Sequence, residues 1–242
     1  MEYIKIDLHV HSIDSSKTGS NISKNSDDEM LVKLKENKVR VTSFVDHDCF
    51  YYASYLKRIE IIKKYEMNIL ILPGIEVNLK RFDNKKGQAI FVFNPNNDLL
   101  LLENITKKYF WFSNKKYTYS EAVEIFEKNN FDFMVFPHSG KAQDNMAYED
   151  IKESQIDGLD TTNPNSSNNK KILKYLPNLP KLFFSDTHTW KKYPEHSKFW
   201  TYLQIKDANC LTYEEIKQNI KNNLVEIKEI YLRRKNDKFN KI

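Results

Sequence analysis

The stretch "YIKIDLHVHS", residues 3–12, sets two histidines, His9 and His11, on alternate positions at the end of an apolar run. Side chains two apart on a strand point the same way, so if the run is a strand both imidazoles aim at one place. That is ligand geometry, and the reading of the rest of the chain works outward from it.

Further along, "RVTSFVDH", "NILILPGIEV", "QAIFVFN", "FMVFPHS", "IDGLDTT" and "KLFFSDTH" read as strands. Between them "DDEMLVKLKENK", "YYASYLKRIEIIKKYE", "YSEAVEIFEKNN", "MAYEDIKES" and "NKKILKYL" carry apolar residues at helical spacing. Asn25, Ser26 and Asp27 signal the start of the first of these helices, and Ser120 that of the third, because their side-chain oxygens cap free N–H groups. Strands alternating with helices imply parallel pairing through crossovers, and a closed α/β barrel is the expected product. The chain has 242 residues, 40% of them hydrophobic, which suits one such domain. Residues 94–120 read as a helical and aromatic connector over one barrel face. Its "KKYFWFSNKKY" has the lysine and aromatic mix that stacks single-stranded bases, although aromatics packed inward with lysines in water are the commoner arrangement. Residues 228–242 read as a basic C-terminal tail.

Several classes lose their minimal signals. The chain contains no P-loop, no GxGxxG and no GxSxG, which argues against nucleotide-cradling and serine-hydrolase folds. Cys49 and Cys210 lie far apart with no CxxC, so small buried hydrophobes in a reducing compartment are expected, not a disulfide framework. With no signal-peptide pattern and no apolar run of spanning length, a soluble, cytoplasmic chain without a membrane partner is expected. The net charge of +5 and pI of about 8.9 suit a polyanionic substrate without demanding one.

The positions of the ionisable residues are more telling than their number. His9 and His11 close the first strand, His47 the second, Glu76 the third, His138 the fifth, Asp160 the sixth, and Asp186 with His188 the last. In a parallel barrel those ends share one face, where loops build active sites, and five of the six histidines would meet there. Imidazoles and carboxylates crowded at one mouth are badly solvated unless cations hold them. Nitrogen and oxygen donors without thiolate favour zinc, manganese or iron. Gly74, Gly140 and Gly158 adjoin the same strand ends, where tight turns are needed.

In order along the chain, "DLHVHS", "FVDHD", "PGIEV", "FPHSG", "DGLDTTNP" and "SDTH" resemble the motifs of the polymerase and histidinol phosphatase (PHP) superfamily. The resemblance implies a distorted seven-stranded β/α barrel, TIM-like, that hydrolyses phosphoesters with a metal-activated water. It implies two or three divalent ions per chain, held by His9, His11, His47, Glu76, His138, Asp186 and His188, with Glu76 bridging two of them. Asp186 and His188 are the catalytic candidates, His188 assisting the leaving oxygen. Two positions depart from the pattern: Ser16 stands where such families have an aspartate or histidine, and Gln88 where they have a histidine. Each removes a ligand from a different ion, and Asp14 is the nearest carboxylate to replace the first. Ligating imidazoles usually give their other N–H to a carboxylate or carbonyl, which assigns Asp7, Asp46 and Asp160 to orienting the histidines. Lys141, Asn163 and Arg81 follow site strands and are candidates for phosphate contact, Lys141 and Arg81 equally for solvated loop positions.

"FWTYLQIKDANCLTYEEIKQNI", residues 199–220, resembles the closing segment of PHP modules associated with large chromosome-maintenance-type ATPases. That likeness implies a nucleic-acid or nucleotide substrate and an ATPase partner in DNA repair or defence. Two other readings stand beside it: a small-molecule phosphomonoesterase, such as one acting on histidinol phosphate, and a metal-binding partner module with impaired catalysis.

Overall fold

The computed structural model describes residues 1–14, 16–18, 26–194 and 197–230. Asn25 and the basic residues 231–242 lie outside them. In order come β1 (Glu2–Val10), α1 (Asp27–Glu36), β2 (Val39–Phe44), α2 (Tyr52–Lys64), β3 (Leu70–Lys80), β4 (Lys86–Phe93), α3 (Leu99–Thr106) and α4 (Tyr119–Lys128). There follow β5 (Phe133–Pro137), α5 (Tyr148–Ile151), β6 (Leu159–Asp160), α6 (Ser167–Tyr175), β7 (Lys181–Leu182), β8 (Phe199–Ile205), α7 (Tyr213–Lys221) and β9 (Val225–Glu229). Ser26 caps α1 in a reciprocal box with Glu29, while α4 starts on Thr118, whose hydroxyl accepts from the Glu121 N–H, and not on Ser120.

The expected closed parallel barrel is not what forms. Seven strands make one curled sheet in the order β5-β4-β3-β2-β1-β8-β9, and β6 pairs only with β7. Two physical causes account for this. Only residues 81–85 join β3 to β4, too few for a crossover, so β3 and β4 pair antiparallel, as do β4 and β5. At the other edge, β8 takes the Glu2–Ile6 portion of β1 in antiparallel register, which leaves β7 no room along it. The gap is spanned by isolated bridges, His138 to Asp160 and Val10 to Thr187. The segment 199–220 thus contributes a sheet strand and a helix, and Lys228 and Glu229 of the expected tail belong to β9.

Two apolar layers hold this frame. Inside the curl, Ile4, Ile6, Leu8, Leu72, Val92, Phe136 and Phe184 meet, and Ile216 and Ile220 of α7 pack onto them. Outside it, helices bury Leu31, Leu34, Phe91, Phe93, Val123 and Phe126. Residues 94–120 cover this outer layer with α3 and a π-helical turn, Lys107–Trp111. Phe110 points inward whereas Phe112 is exposed. Among the described residues no helix is long and apolar enough to cross a membrane. Cys49 is buried, Cys210 is exposed, and both are free thiols.

Candidate metal centre

Because β1, β2 and β3 are parallel neighbours, their ends share one rim of the curl. Beyond β2 the chain continues in contact with β3, His47 bridging to Glu76, and the isolated bridges bring the ends of β5, β6 and the segment after β7 to the same rim. Two backbone features shape this rim. Gly140 has φ of +78° and lies so close to Thr161 that a Cβ there would sit 2.5 Å from the hydroxyl. Asp186 adopts the left-handed φ of 50°, uncommon for a residue with a side chain, and its N–H is held by the His9 carbonyl at 2.8 Å.

Five histidines do converge. Three groups have donor atoms close enough for one cation each: His9, His11 and Asp186; His9, Glu76 and His138; and His11, His47 and His188. The best defined set is that of His9, His11 and Asp186, with Glu76 beside its two histidines. His9 Nε2 is 3.0 Å from His11 Nε2, 3.2 Å from Asp186 Oδ1 and 3.7 Å from Glu76 Oε2. His11 Nε2 lies 3.3 Å from Asp186 Oδ1 and 3.4 Å from Glu76 Oε2. A tetrahedral ion with bonds of about 2.0–2.1 Å separates its donors by about 3.3–3.4 Å, so His9, His11 and Asp186, 3.0–3.3 Å apart, fit one, while Glu76 groups with His9 and His138. Glu76 spans outward from this set, with His47 Nδ1 3.1 Å from Oε2 and His138 Nε2 3.0 Å from Oε1.

The chemistry of the donors agrees. His11 Nδ1, both ring nitrogens of His138, Glu76 Oε2 and Asp160 Oδ1 are buried without a hydrogen bond among the described residues. Orphaned buried polar atoms cost roughly 1–3 kcal/mol each, and here they cluster at one place. His138 Nε2 and Glu76 Oε1 are near each other yet not aligned as donor and acceptor, as befits atoms converging on a shared point.

Electrostatics shows the same tension. Burial opposes charge on His9, but Asp186, Glu76 and Asp160 override it and lift the imidazole to about 10, with Lys141 pulling the other way. Burial and His188 hold His11 well below its usual range. Glu76 and Asp186, although buried, are held well below the carboxylate range, Glu76 by His47 and His9, Asp186 by His9 and Lys141.

The surrounding residues divide. Asp160 Oδ2 lies 2.7 Å from His9 Nδ1, which turns the Nε2 edge of that ring toward the other donors. Asp46 instead accepts from the Ser12 N–H and hydroxyl, at 2.8 and 2.5 Å, and stands 3.9 Å from His11 Nδ1. Asp7 is not beside a histidine nitrogen. A register shift between Asp7 and Val10 breaks the strand's period of two, and its carboxylate accepts from the Ser185 N–H and the Tyr193 hydroxyl. Burial raises Asp7 to about 6.

Lys141 is no solvated loop lysine. Its ammonium is buried against Asp160 Oδ2 at 2.8 Å and Asp186 Oδ2 at 2.9 Å, and these carboxylates raise its pKa despite burial. Asn163 sits on an exposed turn, where its carboxamide oxygen accepts from the Asn165 N–H, outside the cluster. Arg81 also lies outside it, donating to the Asn145 carbonyl at 2.9 Å. Ser16 is exposed, and Asp14 does not replace it, since Asp14 is bound by Arg58 at 2.7 Å and by Ser54 at 3.0 Å. Gln88 does reach the rim: β4 runs antiparallel, so its start lies there, with Nε2 3.4 Å from His47 Nδ1 and 3.1 Å from Asn78 Oδ1. Sequence reading missed Asp48 and Asn78, whose side chains bond each other at 3.1 Å beside Gln88. The doubled acid in "DHD" was the available signal for Asp48.

An open, curled α/β half-barrel with a histidine and carboxylate centre at its strand ends is therefore the class that fold and site define. PsfC from Pseudomonas syringae shares the fold with a TM-score of 0.61, covering 96% of this chain and 93% of its own, at 13% identity. A Bifidobacterium adolescentis protein, provisionally assigned as a metal-dependent phosphoesterase, shares it with a TM-score of 0.56, covering 90% and 96%, at 12% identity. At such identities the likeness is one of fold. No family model and no curated protein matches the chain.

Proposed function

We propose that this chain is a metal-dependent phosphoesterase that hydrolyses phosphoester bonds, acting on nucleic acid or a nucleotide. The observation that carries this is the adjoining donor sets His9, His11, Asp186 and His9, Glu76, His138, with unsatisfied buried nitrogens and oxygens around them. His138 and His47, on either side of Glu76, would hold a second ion, and zinc, manganese and iron all suit the donors. Bound divalent cations lower the pKa of water and neutralise charge developing on phosphoryl oxygens.

The chain's own groups supply the rest. Asp160 fixes the His9 tautomer, and Lys141 balances Asp160 and Asp186 so that the carboxylates can crowd together. His188, partly exposed and with its ring centroid 4.1 Å from that of His11, would give the proton that the leaving oxygen takes. A cytoplasmic location and an ATPase partner in DNA repair or defence belong to the same proposal.

The test offers the chain, loaded with manganese, zinc or iron, a chromogenic phosphodiester, a phosphomonoester and single-stranded DNA in parallel. Hydrolysis that disappears in His9→Ala is expected. If wild type and His9→Ala are indistinguishable on every substrate, the catalytic reading is wrong.

A further inference from the structure

A groove of about 460 Å³ lies outside the metal centre, whose chemistry does not use it. Its lining includes Arg81, Phe82, Tyr148, Lys171, Lys174 and Tyr175. The two features share one loop. Lys141 reaches into the metal centre while its backbone N–H donates to the Asn145 carboxamide, and the Asn145 carbonyl accepts from Arg81. Asn168, on the groove side, ties the same loop down through the Met146 carbonyl and the Ser139 hydroxyl.

The groove's chemistry is that of a strand with phosphates and bases. On α6, Asn168 and Lys171 are three residues apart, and Lys174 and Tyr175 follow Lys171 by three and four, so the four share a face. Lys171 and Lys174 are exposed, have no ion-pair partner among the described residues, and with Arg81 outnumber the one acid of the lining, Glu149. Arg81 is balanced by Asp83 and Asp150, but its buried Nε, 3.6 Å from Asp150, makes no hydrogen bond among the described residues. Tyr175 is stacked on Tyr148, with centroids 4.4 Å apart and planes at 19°, and is nevertheless 57% exposed. Phe82 is 59% exposed. Cations that neutralise phosphates, alternating with open aromatic surfaces, make a platform for an unpaired strand.

We infer that this groove binds single-stranded nucleic acid leading to or from the metal centre, with phosphates on Lys171 and Lys174 and a base on Tyr175 or Phe82. This deepens the phosphoesterase reading and rests on it for the chemistry of the substrate, but binding is measured apart from turnover.

The test is fluorescence anisotropy of a labelled oligothymidylate, and of oligouridylate, on the full chain across a salt series, with EDTA and again with manganese. In Lys171→Ala/Lys174→Ala, affinity at low salt should fall about tenfold, and the slope of log affinity against log salt should flatten by about 1.4, the share of two single-strand phosphate contacts. Tyr175→Ala should weaken binding about tenfold with the salt slope retained. Unchanged melting temperatures would show that these surface variants fold. If wild type binds neither oligonucleotide at low salt, or the lysine variant binds with wild-type affinity and slope, the groove assignment is overturned. Groove-dependent binding by a chain that hydrolyses no phosphoester would uphold the groove and remove the catalytic reading instead.

Discussion

Replacing Asp160 by asparagine isolates the orienting contact beneath the metal centre. The carboxylate is fully buried, and its Oδ2 takes both His9 Nδ1 at 2.7 Å and Lys141 Nζ at 2.8 Å. Asparagine preserves the shape but removes the charge. The His9 ring loses the charged partner that turns its Nε2 edge toward Glu76 and Asp186, and the Lys141 ammonium keeps Asp186 as its one carboxylate beside His9 Nδ1 at 3.2 Å. Loss of a carboxylate behind a ligating imidazole weakens metal affinity about 10–100-fold, which corresponds to about 1.4–2.8 kcal/mol. A buried ammonium stripped of one partner costs the metal-free fold about 3 kcal/mol more. Competition for zinc against a chromophoric chelator measures the first effect, and urea unfolding in EDTA the second. Wild-type zinc affinity in Asp160→Asn, with the fold intact, would refute the claim that this carboxylate presents His9 to an ion.

Three further outcomes follow from particular contacts. The His9 imidazole is lifted from 6.5 to about 10, so its contribution to metal-free stability is complete below pH 6.5 and is lost as pH rises through about 10. An ion must displace that proton, so zinc affinity should climb across the same window; a flat profile, read by calorimetry, would contradict the assignment. Arg58 is 4% exposed, bonded to Asp27 at 2.8 Å and Asp14 at 2.7 Å, and its guanidinium lies 4.3 Å from the centre of the Phe44 ring. Arg58→Met takes the cation from Asp14 and leaves Asp27 with Lys57 at 2.9 Å, and should cost about 3 kcal/mol in urea unfolding, whereas a loss near zero would mean that those acids find water. Gln88→His places a nitrogen donor beside His47 and Asn78 and should raise the number of ions retained after desalting, counted by elemental analysis; an unchanged count would show that this position does not limit occupancy.

How much of this was legible in the sequence depends on the range of the interaction. Strand and helix periodicity is local, and β1 to β5 and α1, α2 and α4 lie within a few residues of where pattern alone puts them. The meeting of His9, His11, His138, Asp186 and His188 was legible for the same reason, since they follow apolar runs, whereas Glu76 lies within β3, which continues to Lys80. Strand direction is not local. The short β3–β4 connection was visible in the chain, but the capture of the β1 edge by β8 depends on pairing between residues nearly two hundred positions apart.

The sequence by itself therefore determined the alternation of elements and the types of donor atom, because periodicity and ligand chemistry are properties of short stretches. Only the tertiary structure decided that the barrel stays open, that Asp160 and not Asp7 backs His9, that Lys141 is buried among carboxylates, and that Arg81 looks into a separate groove. Those outcomes hang on bulges, hydrogen-bond competition and distances across the fold, and no local pattern encodes them.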